Sequence, residues 1–194
     1  MTWAPDYVTT AVIKNYLNIE DTRDDYFIGK WITTVSRNVD DHCGRQFGQT
    51  AGLETRYYPT FYDRGECAWF ANIDDIQDVT ALTFTTEAAV LVDAADYRLL
   101  PRNAAVKGRP YETLKLTSWA GGELTANGKW GWSAQPAAVD EGMFLQAARL
   151  AARRDSPFGI SGSPSEQGEL RLLAQLDPDF RTSLRPYVRE WWAA

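Results

Sequence analysis

His42 is the chain's single histidine, and Cys43 follows it directly. An imidazole beside a thiol is the raw material of a thiol nucleophile, provided the ring nitrogen reaches the sulfur. Neighbouring residues on a helix point about 100° apart, so this pair reads instead as a helix-end histidine beside a buried cysteine. Acidic doublets stand at Asp24–Asp25, Asp40–Asp41 and Asp74–Asp75. Two carboxylates about 5–10 Å apart across a cleft could cleave a glycosidic bond. Doublets in caps and loops are normally solvated, so no catalytic residue is assigned to them. No metal site is assigned either, because Asp40, Asp41 and His42 lack a helical i, i+4 ligand pair and DDIQD is no calcium loop. The run GISGSPSEQG lacks the Lys-Ser/Thr of a phosphate-binding loop, so no cofactor is expected.

Two groups of aromatic residues could act by contact. Trp69, Trp119, Trp130 and Trp132 occupy a strand-like stretch, where they serve either as core or as a stacking platform for sugars. A carbohydrate-binding module is therefore the alternative function. The other group ends the chain. Tyr187, Arg189, Trp191 and Trp192 in PYVREWWAA are of the types that dominate binding hot spots. Arg185, Leu184 and Phe180 precede them. Their apolar surface must be covered either by this chain or by a neighbour.

The elements that position these residues follow from periodicity. The chain has 194 residues, 44% of them hydrophobic, which suits one domain with a real core. In VTTAVIKNYLNI a helix is expected, capped by Thr9 or Thr10, with Ile13, Tyr16 and Leu17 on one face. A longer helix is expected over about 22–43. Its stripe is Ile28, Trp31 or Ile32, Val35, Val39 and Cys43, and Gly44 ends it. From 53 to 133 the pattern changes to short β-branched and aromatic runs between turn residues. LETRYY, ECAWFANI, DVTALTF, DYRLL, TLKLTSW and GKWGW read as strands, and NIDDIQD as a loop. Pro136 should start another helix, with Val139, Met143, Ala147, Leu150 and Ala151 inward.

The fold class is thus α+β: a small helical bundle, with helices at both ends of the chain, a β-rich insert and an extended C-terminal arm. The expected parts are 1–48 (first helices), 53–133 (insert), 134–155 (bundle helix), 156–169 (flexible connector) and 170–194 (arm). Gly159, Gly162 and Pro164 are the expected hinge. Ser163 and Glu166 form a candidate capping box before a helix through Leu170, Leu173 and Leu176. Asp177 and Pro178 should start a last short helix that Pro186 breaks.

Charge and cysteine usage exclude some roles. With 26 acidic against 20 basic residues the net charge is −6, so gripping nucleic acid is not expected. Two cysteines without ligand spacing suit a reducing compartment. No signal-like segment and no apolar run long enough to span a membrane are apparent.

Read in order, YVTTAVIKNYL, DDYFIGKWITTVSRNVDDHCGRQF, the β-rich insert, PAAVDEGMFLQAARLAARRDSPFGISG and LDPDFRTSLRPYVR resemble the head-tail connector, or adaptor, proteins of long-tailed bacteriophages. The SRNVDDHCGRQF helix end and the closing LDPD…LRPY carry most of the resemblance, which covers about half of the chain. The resemblance implies a homo-oligomeric ring, usually of twelve copies, docked on the portal protein at the capsid vertex. The ring extends the DNA channel, lets double-stranded DNA pass without specific binding, and offers a surface to the stopper or tail. It implies no enzymatic activity. The location implied is the virion neck, with assembly in the host cytoplasm. Carried onto this chain, the portal-binding arm comprises Phe180, Leu184, Arg185, Tyr187, Arg189, Trp191 and Trp192. Asp24, Asp25, Asp40 and Asp41 are candidates for an acidic channel lining that would repel phosphate.

Overall fold

A computed structural model describes residues 4–155, 160–161, 170–171 and 176–189. They divide into two compact units: residues 4–46 with 135–189, and residues 47–134. The fold is α+β, with helices at both ends of the chain, as its periodicity predicts.

The first unit holds four α-helices: α1 (Thr10–Leu17), α2 (Asp25–Cys43), α3 (Ala137–Asp155) and α4 (Pro178–Leu184). The buried stripe of α2 is Ile28, Ile32, Val35, Ser36, Val39 and Cys43, so Ile32 takes the core position rather than Trp31. Gly44 ends this helix in the left-handed region, where a side chain would be strained. Val139, Met143 and Ala147 are fully buried on α3, as their spacing requires. Pro136 lies one residue before α3 and accepts the first turn's bond from Val139. Tyr16 of α1 stacks on Phe144 of α3, with ring centroids 5.3 Å apart.

The stretch before α1 is tied to α2. The Tyr7 amide donates to Ser36 Oγ at 3.2 Å, the Tyr7 hydroxyl donates to Asp40, and Arg37 donates to the Pro5 carbonyl. Polar residues of a mostly apolar helix face thus fix the start of the bundle.

The second unit is built from seven strands: β1 (Glu54–Pro59), β2 (Phe61–Asp63), β3 (Ala68–Ile76), β4 (Thr83–Thr86), β5 (Tyr97–Leu100), β6 (Tyr111–Leu116) and β7 (Glu123–Gly128). They form two antiparallel sheets, ordered β1-β7-β4 and β2-β3-β6-β5. One core joins them: Tyr58, Phe84, Leu124 and Ala126 from the first sheet, Ala71, Ile73, Ile76, Leu114 and Leu116 from the second, and Trp130.

Two sequence expectations change here, and one strand is new. NIDDI is not a loop but the second half of β3, because both of its aspartates find partners. ELTANG, unremarked in the sequence, is β7, the centre of its sheet; Glu123 to Gly128 pair with β1 on one side and, from Leu124, with β4 on the other. GKWGW is not a strand. Residues 130–132 run between two segments instead: Thr50 donates to the Trp130 carbonyl at 2.9 Å, Trp132 to the Gly48 carbonyl at 2.7 Å, and Gln77 to the Gly131 carbonyl at 3.2 Å. A side chain at Gly131 would stand 2.0 Å from the Gly48 carbonyl oxygen, so only glycine permits this approach.

Between α3 and α4, β8 (Ile160–Ser161) pairs antiparallel with β9 (Leu170–Arg171). The expected helix through Leu170 therefore gives way at its start to a strand pair. Leu173 lies outside the described residues. The candidate capping box at Ser163 and Glu166 and the hinge residues Gly159, Gly162 and Pro164 lie outside the described residues.

Candidate docking site on the C-terminal segment

The last short helix is pinned from its first residue. The Asp177 carboxylate accepts from the Asp179 amide at 2.9 Å and from the Phe180 amide at 3.4 Å, with Pro178 opening the helix. The same carboxylate takes an ion pair from Arg149 of α3 at 2.8 Å, and the Asp177 amide donates to Gln146 Oε1 at 3.0 Å. One turn on, the Phe180 ring fills the space that Gly142 leaves on α3. A Cβ at position 142 would lie 1.7 Å from that ring. A single turn of 3-10 helix, Arg185–Tyr187, follows, and the Arg189 amide then donates to the Cys43 carbonyl at the end of α2, 2.8 Å away.

This geometry corrects part of the expected arm. Phe180 and Leu184 are fully buried within their own unit and so serve as its core rather than as anchors offered to another chain. Their i, i+4 spacing on α4 gives one apolar face, and the gap at Gly142 receives its Phe180 ring. Arg185 is exposed, while Tyr187 and Arg189 are half-buried. Trp191 and Trp192 lie outside the described residues.

Of the four candidate lining carboxylates, three have partners in the chain. Asp24 pairs with Arg154 at 2.6 Å, and Asp25 with Lys14 at 2.7 Å. Asp40 lies mostly covered between the Tyr7 hydroxyl and Arg37, an ion pair of 3.0 Å. Burial pushes its pKa up to about 6, against the opposing pull of Tyr7 and Arg37. Asp41 is exposed.

The His42–Cys43 pair behaves as its helical position dictates. Cys43 is fully buried, and burial pushes its thiol up to about 12, so it stays protonated and inert at neutral pH. His42 points elsewhere. It lines a shallow cleft of about 330 Å³ with Arg181, Thr182, Arg185 and Val188. Burial, and then the Arg181 charge, hold its pKa below the usual value. Sequence reasoning missed Arg181, Gly142, Gln146 and Arg149. The first was legible as the i−4 partner of Arg185 on one helical face. The other three act only through a packing that no local pattern announces.

The β unit does not favour the alternative of a sugar platform. Trp130 and Trp132 are 1% and 2% exposed, so neither can stack on a ligand. Their indole N–H groups donate to the Glu54 carbonyl and to Asp75 Oδ2, each at 2.8 Å, which settles both polar edges inside the fold. Trp69 is half-buried and covers Gly121, and half-buried Trp119 donates to Thr60 Oγ1 at 3.2 Å. The doublet Asp74–Asp75 is likewise divided. Asp74 accepts from Arg56 at 2.8 Å and from the Tyr58 hydroxyl at 2.9 Å, while Asp75 is buried under Trp132. No helix among the described residues is long and apolar enough to cross a membrane.

No family model and no curated protein matches this sequence. A solved structure does share the fold: a chain of "Neck of empty GTA particle computed with C6 symmetry" superposes with a TM-score of 0.56 at 15% identity. The match covers 100% of this chain and 95% of the other. It therefore includes the helical frame and the β-rich insert together.

Proposed function

We propose that this chain is a structural head-tail connector, or adaptor, of a phage virion. The observation that carries this reading is the end-to-end similarity of fold to a chain from the neck of a phage-like particle. The absence of a thiolate at Cys43 and the internal pairing of Asp74 and Asp75 fit a protein that works by contact rather than catalysis.

In this reading copies of the chain form a ring, twelve in number by its resemblance to the adaptors, and dock on the portal protein. The ring extends the DNA channel and presents its far face to the stopper or tail. A closed ring needs heterologous surfaces that repeat by rotation, and many weak contacts then act together. The C-terminal segment is the docking element: Arg185, Tyr187 and Arg189, with Trp191 and Trp192 beyond them. Phe180 and Leu184 hold the base of that segment on the bundle. Asp41 is the best placed of the four carboxylates to line a channel, since the others have internal partners. Assembly takes place in the host cytoplasm, and the mature location is the virion neck.

Deletion of Trp191–Ala194 tests the docking element. Portal co-sedimentation should be lost while the circular dichroism spectrum is kept. Undiminished docking of the truncated chain would overturn the assignment of the segment.

A further inference from the structure

The cleft beside α4 carries charge that no described residue pairs with. Arg181 and Arg185 are both exposed and stand four residues apart, so their guanidinium groups leave the same face of the helical segment. Most arginines near them are engaged: Arg149 with Asp177, Arg154 with Asp24, and Arg37 with Asp40. Arg181 and Arg185 have no ion-pair partner among the described residues. Between them and α2 lies the cleft, with His42 on one wall and the 38%-exposed Val188 on another. Two exposed guanidinium groups beside an apolar side chain match a carboxylate flanked by an apolar side chain.

We infer that this cleft is a socket for an acidic peptide segment of a partner protein, with Arg181 and Arg185 holding an Asp or Glu carboxylate and Val188 packing its apolar neighbour. The inference rests on the reading of the C-terminal segment as a docking element and names the chemistry of what it docks. Duplex DNA fits less well. A volume of about 330 Å³ admits one or two side chains rather than a phosphate ladder.

His42 is the only histidine, so its imidazole resonances report on the cleft alone. The full chain is titrated with the blocked peptide acetyl-Leu-Glu-Glu-Leu-amide, with its Gln-Gln counterpart, and with a short DNA duplex. The acidic peptide should move the His42 signals saturably, the Gln-Gln peptide should not, and the R181Q/R185Q double variant should bind at least about tenfold more weakly. Both arginines are exposed, so the variant is expected to keep the wild-type spectrum elsewhere. An unmoved His42 signal at millimolar acidic peptide, an equal response to the Gln-Gln peptide, or a response to the duplex at lower concentration would each overturn the socket. So would self-association that covers the cleft before peptide can enter. Should the peptide fail while truncation at Trp191 still abolishes portal docking, the socket falls and the adaptor reading stands. Should the peptide bind while portal docking is never seen, the socket stands without that reading.

Discussion

Residues 130–132 of the β unit and the α4 segment of the helical unit both rest on buried aromatic rings, but they are held in different ways. Trp130 and Trp132 are buried together with their polar edges, and backbone hydrogen bonds fasten the stretch to residues 48–50 on one side and 77 on the other. The seven-residue α4 would not persist alone. It is held by the buried Phe180 and Leu184 side chains, by Asp177 with Arg149 and Gln146, and by the bond from the Arg189 amide to the Cys43 carbonyl. We expect the second arrangement to loosen at lower cost than the first, since a helix this short draws its stability from its packing contacts.

Substitutions should expose that difference. The largest loss is expected for Trp132→Ala, about 3–5 kcal/mol, since it opens a large cavity and removes an N–H donor from the buried Asp75 carboxylate. Chemical denaturation should show the loss as a shifted midpoint for the β unit as a whole. Gly142→Ala should cost less, about 1–3 kcal/mol, because the added methyl strikes the Phe180 ring. Its effect should be local: limited proteolysis should cut near α4 first, and a second change, Phe180→Ala, should remove the clash. If Gly142→Ala unfolds the whole chain in one step, α4 is no more separable than the tryptophans.

Asp177→Ala removes a helix cap and the partner of Arg149 together. A loss of about 1–2 kcal/mol is expected, read as faster amide exchange in residues 178–184. A further effect is one of pH. The folded-state pKa of Asp40, about 6, lies above the ordinary carboxylate value of 3.8. The native chain thus binds the proton more tightly than the unfolded one. The Asp40 contribution is full below about pH 4 and is lost as pH rises through about 6. The stability difference between wild type and Asp40→Asn should therefore shift in favour of wild type as pH falls across that window, and stay constant above it.

What the sequence made legible follows the same divide. The stripes of α2 and α3 could be read because one face is buried and the period is 3.6, and Asp177–Pro178 marked the start of α4 by capping chemistry alone. The strand β7 was not legible. ELTANG contains Asn and Gly and lacks an aromatic, and it is a strand because β1 and β4 pair on both of its edges. GKWGW misled in the opposite sense, since its aromatic composition suits a strand while its glycine is needed for close approach to Gly48. Within the candidate site, residue type pointed to Arg185 and Tyr187. It could not show that Phe180 and Leu184 turn inward, because that depends on a glycine 38 positions upstream of Phe180 leaving room for a ring.

The central claim is that copies of this chain assemble on a portal through the segment after α4. Electron microscopy of the protein mixed with its proposed portal partner tests it most directly. The account predicts a closed ring, stacked coaxially on the portal, with density for residues 185–194 entering the portal's surface. Portal particles left bare at saturating protein, or a ring whose C-terminal segments face away from the portal, would contradict it.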